Sequence, residues 1–262
     1  MSEFHINDLV DVTREAGKAA MAIYSRDHDV AFKEDKSPVT EADLAVDNLL
    51  FAALSKRYPD IPIVTEERAA THASQRGNRF FLIDPIDGTK EFIRKTGEFT
   101  INIALIEDGA PIAGIVYAPA TGRMFVGDRT SGAREIDEDG SSHEIAVRTC
   151  GPQPTAVASR SHMTPETESF ISENKIGECV NAGSSLKFCL VAAGEADIYP
   201  RFGPTMEWDT AAGHAVLAAA GGKVLTCDGS PLSYGKSQFR NPNFIAASST
   251  VRYIVPANTQ PV

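Results

Sequence analysis

The sequence predicts an α+β protein in which helices and sheets are stacked in layers and the chain forms two closely packed halves. Three patterns support this fold class: helical periodicity at the start, a series of strand-like runs in the middle, and alternating strands and helices beyond residue 151. At 262 residues the chain can bury a large core, in one domain or in two halves in contact.

Two helices open the chain. Residues 6–26 and residues 41–58 both carry apolar side chains every three or four positions, which is typical of a helix with one face on a core. Pro59 ends the second helix, because proline cannot donate the backbone hydrogen bond that a continuing helix needs.

A short strand at residues 61–64 leads into two acidic residues, Glu66 and Glu67. The segment that follows, residues 68–79, is mostly polar, and we expect it to be a mobile loop. The two glutamates could be ordinary solvated side chains, or they could point into a cleft beside this loop.

The most informative segment is Asp-Pro-Ile-Asp-Gly-Thr at residues 84–89. It follows the apolar run 80–83, which predicts a buried strand, and proline has no N–H for a sheet, so we expect the strand to end at Asp84. Asp84 and Asp87 would then share a tight turn, followed by a helix whose first N–H groups can bind an anion. Hard oxygen ligands beside an anion site suit Mg²⁺ and a phosphate ester, although an ordinary surface turn has similar residues.

Strands separated by turn residues follow this segment, which predicts an antiparallel meander. The predicted strands lie at residues 99–107, 111–118 and 123–127, and a further strand at 145–147 closes the group after the Asp139-Gly140 turn.

The segment 151–154, Gly-Pro-Gln-Pro, predicts a boundary between an N-terminal half at residues 1–150 and a C-terminal half at residues 151–262. The second half alternates between strands and helices. Its predicted elements are a strand at 155–159, a helix at 165–174, a helix including 187–194, a strand at 196–199, and a helix at 209–220 that ends at Gly221-Gly222.

Composition excludes several classes of protein. The net charge of −10 argues against binding of nucleic-acid polymers, which needs a basic surface. The four cysteines are scattered without a C-x-x-C pair, which indicates small buried thiols in a reducing compartment and neither a zinc site nor a disulfide framework. The acidic, amphipathic start is unlike a signal peptide, and no apolar run is long enough to span a membrane, so we expect a cytoplasmic protein.

Further acids stand at the ends of predicted elements, and each has a structural alternative. Asp209 could cap the helix that follows it, and Asp43 lies in Thr-Glu-Ala-Asp, which is close to a capping box. Thr89 could merely tie its own helix start. Taken together, the acids favour a metal site for phosphate-ester hydrolysis, which requires rate enhancements of up to about 10²¹, whereas one general base supplies roughly 10² to 10⁴.

Three segments resemble the signature of the inositol monophosphatase superfamily, a group of lithium-sensitive, Mg²⁺-dependent phosphatases. They are Glu66-Glu67, the segment 84–89, and Trp-Asp-Thr-Ala-Ala-Gly at 208–213. Four others resemble the branch that hydrolyses nucleoside 3'(2'),5'-bisphosphates: Lys-Glu-Phe-Ile at 90–93, Ser-Arg-Ser-His at 159–162, Gly-Ser-Ser-Leu-Lys-Phe at 183–188 and Tyr-Pro-Arg-Phe-Gly-Pro at 199–204. The similarity runs from about residue 37 to residue 244, and it implies the layered α/β sandwich of the sugar phosphatases.

The resemblance also implies a role for each site residue. The metal ligands would be Glu66, Asp84, the Ile86 carbonyl, Asp87 and Asp209. Catalysis would involve Glu66, Asp43 and Thr89, with Asp43 and Thr89 positioning and deprotonating the attacking water. The substrate contacts would be Glu66, Ile86, Asp87, Gly88, Thr89, His162, Ser184, Ser185, Lys187, Arg201 and Asp209.

The expected activity is Mg²⁺-dependent hydrolysis of adenosine 3',5'-bisphosphate to AMP and phosphate, in sulfur metabolism, with 3'-phosphoadenylyl sulfate as a second substrate. An inositol or sugar monophosphatase, and a non-catalytic nucleotide sensor on the same fold, are the alternatives. We expect a monomer or a homodimer in the cytoplasm; some members of the family are attached to the cytoplasmic face of the inner membrane.

Overall fold

Two sheets and seven helices form the described part of the chain in this computed structural model, which covers residues 4–26, 30–32, 38–73, 77–158 and 163–256. A separate two-stranded ribbon lies near the start. The strands are β1 (Val30–Phe32), β2 (Pro38–Thr40), β3 (Ile63–Thr65), β4 (Arg79–Asp87), β5 (Thr100–Glu107), β6 (Ala110–Ala118), β7 (Arg123–Asp128), β8 (Gly132–Ile136), β9 (Ser142–Glu144), β10 (Thr155–Ala158), β11 (Glu178–Asn181), β12 (Ile198–Arg201), β13 (Gly222–Thr226) and β14 (Phe244–Ser248). The helices are α1 (Asn7–Tyr24), α2 (Glu41–Arg57), α3 (Ala69–His72), α4 (Thr89–Ile93), α5 (Pro165–Glu173), α6 (Leu186–Ala192) and α7 (Ala211–Ala219).

The larger sheet runs β3-β4-β5-β6-β7-β8-β9, and all its neighbouring pairs are antiparallel except β3 with β4. The smaller sheet runs β11-β10-β12-β14-β13 and is mixed. The predicted antiparallel meander is thus confirmed. The larger sheet ends at Glu144 and the smaller begins at Thr155, on either side of the predicted boundary at residues 151–154.

The larger sheet is covered on both faces, because successive side chains of a strand point in opposite directions. Phe81 and Ile83 of β4 join the apolar cluster that contains the buried faces of α1 and α2. Phe80 and Leu82 join the second cluster, which contains α6 and α7 from the later part of the chain. The second cluster is therefore a core that the two parts of the chain share.

Helix α7 approaches the sheet closely where the strands carry glycine. A Cβ atom at Gly114 of β6 would overlap the main chain of Ala212, and one at Gly127 of β7 would overlap the main chain of Val216. These contacts confirm the expectation of a layered α+β fold with two closely associated parts.

Strand β4 corrects one prediction, since it continues through Pro85 to Asp87 instead of ending at Asp84. A register shift between Asp84 and Asp87 accommodates the proline: Asp84 pairs with Asn102 and Asp87 pairs with Thr100. At this irregularity of the ladder, no hydrogen bond from the proline nitrogen is needed, so proline can remain in the strand.

Other predictions need smaller corrections. Residues 145–147 are outside any strand; the last strand of the meander is β9, directly before them, and β8 was not predicted. The predicted loop 68–79 contains the helical turn α3, and its residues 74–76 lie outside the described residues. Helix α7 begins at Ala211, two residues beyond the predicted start, and Gly221 follows it with a left-handed φ of 88°. None of the described helices is both long and apolar enough to cross a membrane.

Candidate active site

A cavity of about 480 Å³ lies where the two sheets meet. One part of its wall comes from the segment around β4 and α4, and the other comes from α6, β12 and the start of α7. The predicted site residues on its wall are Glu66, Asp84, Ile86, Asp87, Gly88, Thr89, Ser184, Lys187, Arg201 and Asp209. Residues that the sequence places far apart, from position 66 to position 209, are therefore brought together.

The acids reach the cavity from three elements. Glu66 follows β3 and is attached to β4 by a backbone hydrogen bond from its N–H to the Ile83 carbonyl (3.1 Å). Asp84 and Asp87 occupy the irregular end of β4. Asp209 precedes α7 but does not cap it: its carboxylate accepts from the Met206 N–H (2.8 Å), and Thr210 occupies the N-cap position. The alternative in which Asp209 caps helix α7 is therefore wrong.

The environment of these acids opposes their ionisation. Burial is the main cause that raises the pKa of Asp84 well above its ordinary value, and the negative charges of Glu66, Asp87 and Asp209 add to it. The pKa of Asp209 is likewise raised by burial and by Asp87 and Glu66. Burial also raises the pKa of Asp87, against the opposing effects of Lys187 and Ser185. Such mutual repulsion of buried carboxylates is relieved when a cation binds among them.

The donor set suits a hard divalent cation. Carboxylate oxygens and a backbone carbonyl are the ligands that Mg²⁺ and Ca²⁺ prefer. Asp84 is 1% exposed, and its Oδ1 accepts no hydrogen bond from any residue that the structure describes, so this buried oxygen can act as a ligand. Within the same described residues, no three acidic, histidine or cysteine side chains form a closed cage; the acids are instead distributed along the cavity wall.

Asp43 caps helix α2 and also contacts a residue of the cavity wall. Its Oδ2 accepts from the Thr40 N–H (2.7 Å) and the Thr40 hydroxyl (2.6 Å), which completes the capping box at the start of α2. Its Oδ1 lies 3.2 Å from the Thr89 hydroxyl. Thr89 lines the cavity, so Asp43 reaches the site through Thr89 while being almost wholly buried itself.

Gly88 is required by the backbone between β4 and α4. Its φ of 93° is in the left-handed region, which glycine adopts without strain. A side chain here would also overlap the Ser184 hydroxyl, which lies 2.7 Å from the Asp87 carbonyl. The main chain at Gly88 and Thr89 therefore stands directly at the cavity wall.

Lys187 and Arg201 are basic residues of the C-terminal part of the chain that line the cavity together with the acids. Lys187 is buried, its Nζ donates to the Ser184 carbonyl (2.6 Å), and burial lowers its pKa to about 8 against the raising effect of Asp87. Arg201 donates from Nη2 to the Pro204 carbonyl (3.1 Å). Its Nε is buried and has no hydrogen-bond acceptor within the part of the chain that is described. These cations sit where a second anionic group of a ligand could reach them.

Of the two serines predicted to contact the substrate, only Ser184 lies on the cavity wall. Ser184 lines the cavity, but its hydroxyl contacts the Asp87 carbonyl (2.7 Å) and the Glu98 carbonyl (2.9 Å). Ser185 is buried at 1% exposure and is not part of the cavity wall, because its hydroxyl is enclosed by protein partners. His162 lies outside the described residues.

Several residues that contribute to the site were not predicted from the sequence. Tyr199 and Lys90 line the cavity, although both belong to stretches that carry the resemblance. Asn102 lies beneath the cavity on β5, where its Nδ2 donates to the Ser185 hydroxyl (2.9 Å). An asparagine within the mostly apolar strand β5 was the available signal for Asn102, because a buried amide requires partners.

Comparisons with known proteins agree with this geometry. The model of the inositol monophosphatase family matches residues 3–256. The chain is 45% identical over 243 residues to 3'(2'),5'-bisphosphate nucleotidase CysQ of Escherichia coli O6:H1, covering 91% of this chain and 98% of that protein.

Solved structures give the same result. The crystal structure of CysQ from Bacteroides thetaiotaomicron superposes with a TM-score of 0.82 at 38% identity, covering 94% of this chain and 97% of that one. An IMPase from Thermotoga maritima superposes with a TM-score of 0.77 at 27% identity, covering 93% of this chain and 92% of that one. Family match, sequence identity and fold together show that the chain belongs to the inositol monophosphatase family.

Proposed function

We propose that this protein is a 3'(2'),5'-bisphosphate nucleotidase, a phosphoric monoester hydrolase that removes the 3'-phosphate of adenosine 3',5'-bisphosphate to give AMP and phosphate. The observation that carries the proposal is the shared cavity, in which buried acids stand together with Lys187 and Arg201. A substrate with two phosphate groups needs cationic partners for both, and a site with acids alone would provide for only one. The identity to curated nucleotidases over nearly the whole chain supports the same substrate class.

Phosphatases of this family generally depend on a metal ion, and we propose Mg²⁺ here. The residues that would hold it are Glu66, Asp84, the Ile86 carbonyl, Asp87 and Asp209. When bound, Mg²⁺ supplies positive charge that screens the phosphoryl oxygens and the departing ribose oxygen, and acidifies water.

The chain's own groups bind and orient the reactants. The N–H groups of Gly88 and Thr89, which line the cavity at the start of α4, would donate to the scissile phosphate. The Thr89 hydroxyl and the Asp43 carboxylate, 3.2 Å apart, would orient the attacking water and take its proton. Water then attacks phosphorus in line with the leaving oxygen, without a covalent enzyme intermediate.

Lys187 and Arg201 would bind the second phosphate of the nucleotide. Lys187 is fixed by its hydrogen bond to the Ser184 carbonyl and by the Tyr199 ring, 5.4 Å from Nζ, so little side-chain entropy is lost on binding. The Nε of Arg201, which has no acceptor among the described residues, offers one further donor. We place His162 among the nucleotide contacts only on the resemblance. The sulfated nucleotide 3'-phosphoadenylyl sulfate presents the same 3'-phosphate and is proposed as a second substrate.

Phosphate release from a panel of substrates tests the proposal. With Mg²⁺, adenosine 3',5'-bisphosphate should be hydrolysed much faster than inositol 1-phosphate, and a chelator should stop both reactions. Asp87→Asn should abolish turnover, whereas Asp11→Asn, on the exposed face of α1, should not change it. Preference for inositol 1-phosphate would support a sugar monophosphatase instead. Tight nucleotide binding without turnover would support a sensor.

The four cysteines, Cys150, Cys179, Cys189 and Cys227, all lie within the described residues and are not joined in disulfides; Cys189 is buried as expected, whereas Cys179 is exposed and the other two are half-buried. This supports a reducing compartment, and we propose the cytoplasm. The proposed site is built by residues of one chain, so the mechanism applies equally to a monomer and to a homodimer.

A further inference from the structure

Asp87 is hydrogen-bonded to residues from the other part of the chain, beneath the cavity. The Ser184 hydroxyl lies 2.7 Å from its main-chain carbonyl, and the Ser185 hydroxyl lies 3.0 Å from its Oδ2. Both serines directly precede α6, whereas Asp87 ends β4 of the larger sheet. An acid of the cavity wall is therefore held by groups from a distant part of the sequence.

The Ser185 hydroxyl has three close partners. It accepts from Asn102 Nδ2 (2.9 Å), and it lies 2.6 Å from the Asp209 carbonyl and 3.0 Å from Asp87 Oδ2. A hydroxyl carries one hydrogen and two acceptor lone pairs, so it can accept from Asn102 and donate to one of the other two at a time. Since Ser185 is 1% exposed, its single hydrogen is committed to these protein partners.

Asn102 fixes the direction in which this hydroxyl can donate. It is 1% exposed on β5, and its Nδ2 donates to the Ser185 hydroxyl (2.9 Å) and lies at a longer distance, 3.4 Å, from Asp87 Oδ2. Because Asn102 already donates to Ser185, the hydrogen of Ser185 must point away from it, towards Asp87 and Asp209. The pair thus links two acids of the cavity wall.

We infer that Ser185 and Asn102 are positioning residues that hold the Asp87 carboxylate and the Asp209 main chain in register, and that the Ser185 hydroxyl is not a contact to the nucleotide. The inference rests on the proposed function, since Asp87 and Asp209 are proposed ligands of the cation. Partners that hydrogen-bond to metal ligands orient them, and their loss typically costs about 10- to 100-fold in metal affinity or activity.

Ser185→Ala, compared with Ser248→Ala, tests the inference. Ser248 is also fully buried and donates to a backbone carbonyl, that of Arg148 (2.7 Å), but it lies in the smaller sheet outside the cavity wall. Both changes remove one buried hydroxyl. We expect Ser185→Ala to lower kcat by about 10- to 100-fold with little change in the KM of the bisphosphate. Ser248→Ala should leave both constants unchanged.

Calorimetric titration with Mg²⁺ alone provides a readout that needs no substrate. Ser185→Ala should weaken Mg²⁺ binding by about 10-fold or more, and Ser248→Ala should not. A raised KM with unchanged kcat and unchanged Mg²⁺ affinity would overturn the inference, because that result identifies a nucleotide contact. Equal behaviour of the two variants would also overturn it.

A double-mutant cycle tests whether the two residues act through one another. We expect Asn102→Ala to weaken Mg²⁺ binding, and the double variant to lose no more than Ser185→Ala alone; additive losses would contradict a shared network. If Ser185→Ala fails to fold, Ser185→Cys leaves no cavity, since its thiol is slightly larger than the hydroxyl, and supplies only a weak donor, so the same losses are expected of it. Should wild-type protein bind Mg²⁺ but leave the bisphosphate intact, the proposed function fails while the titrations still decide this inference.

Discussion

The Thr89 hydroxyl lies 3.2 Å from one oxygen of Asp43, and the other oxygen of the same carboxylate is occupied by Thr40. One buried side chain therefore both begins helix α2 and reaches the cavity. The Thr89 hydroxyl has only one hydrogen, which it can give to Asp43 or to the Ile86 carbonyl at 3.3 Å. When it donates to Asp43, its lone pairs are free to accept from water.

Thr89→Ala should lower kcat by roughly 10²- to 10⁴-fold, the contribution typical of a positioned proton-transfer group. The KM of the bisphosphate should change little, because the Thr89 N–H remains. Steady-state kinetics checks both constants. Thr89→Ser keeps the hydroxyl and is the matched control, which should retain most of the activity; a Thr89→Ala enzyme with near-normal turnover would contradict the assignment.

Thr40→Ala and Asp43→Asn should separate capping from catalysis. Removing the Thr40 hydroxyl loses the cap at the start of α2 and should cost about 1 kcal/mol in the free energy of unfolding. Its effect on kcat should be smaller than about tenfold, since the Asp43 side chain remains beside the Thr89 hydroxyl. Asp43→Asn should reduce kcat far more, because an amide cannot take a proton from water. Urea unfolding and kinetics measure the two effects, and equal losses of kcat would refute the separation.

Local patterns predicted what depends on local chemistry. The helical stripes indicated α1 and α2, and the turn residues indicated the meander of β5, β6 and β7, because burial period and turn conformation are properties of short segments. The end of β4 was mispredicted for a non-local reason: whether Pro85 can remain in a strand depends on the partner strand, and here the register shift opposite β5 accommodates it.

The acids of the site could be predicted from the sequence, but the residues that hydrogen-bond to them and hold them in place could not. Asp84, Asp87 and Asp209 stand in motifs with turn and helix signals, so their residue types were informative. Asn102 and Ser185 act through contacts between residues 83 positions apart, which no spacing rule reveals. Nor does a sequence give burial, so Ser185 looked as accessible as its neighbour Ser184.

The KM for adenosine 3',5'-bisphosphate should rise as pH passes about 8, the pKa to which burial lowers Lys187. Lysine is charged below its pKa and neutral above it, so its attraction for a phosphate is lost on the alkaline side. One pH unit above this pKa, KM should be about tenfold higher than at neutral pH. Initial rates between about pH 7 and 9.5 measure the change across this pKa.

Lys187→Arg is the control for this pH effect, since arginine stays charged throughout the range. Its KM should remain flat over the same series of pH values. Adenosine 3'-phosphate, which lacks the second phosphate, should show no rise with the wild-type enzyme either. A rise of equal size for both nucleotides would mean that the titrating group does not bind the second phosphate.

Asp84→Asn should stabilise the metal-free protein at neutral and alkaline pH. Burial and the neighbouring carboxylates raise the folded-state pKa of Asp84 above the ordinary value of 3.8, so the folded state binds more protons than the unfolded state. The stability of the wild type in chelator therefore falls as pH rises beyond that value, whereas the amide of the variant has no proton to lose. Thermal melts with chelator at about pH 5 and pH 8 should give a higher Tm for Asp84→Asn at the higher pH and a smaller difference at the lower one.

Added Mg²⁺ should raise the wild-type Tm more than that of the variant, since a ligand stabilises the folded state in proportion to its affinity. Asp11→Asn, exposed on α1, should melt like the wild type throughout. Wild-type and Asp84→Asn curves that coincide at the higher pH, with and without Mg²⁺, would show that this carboxylate neither strains the fold nor binds the ion.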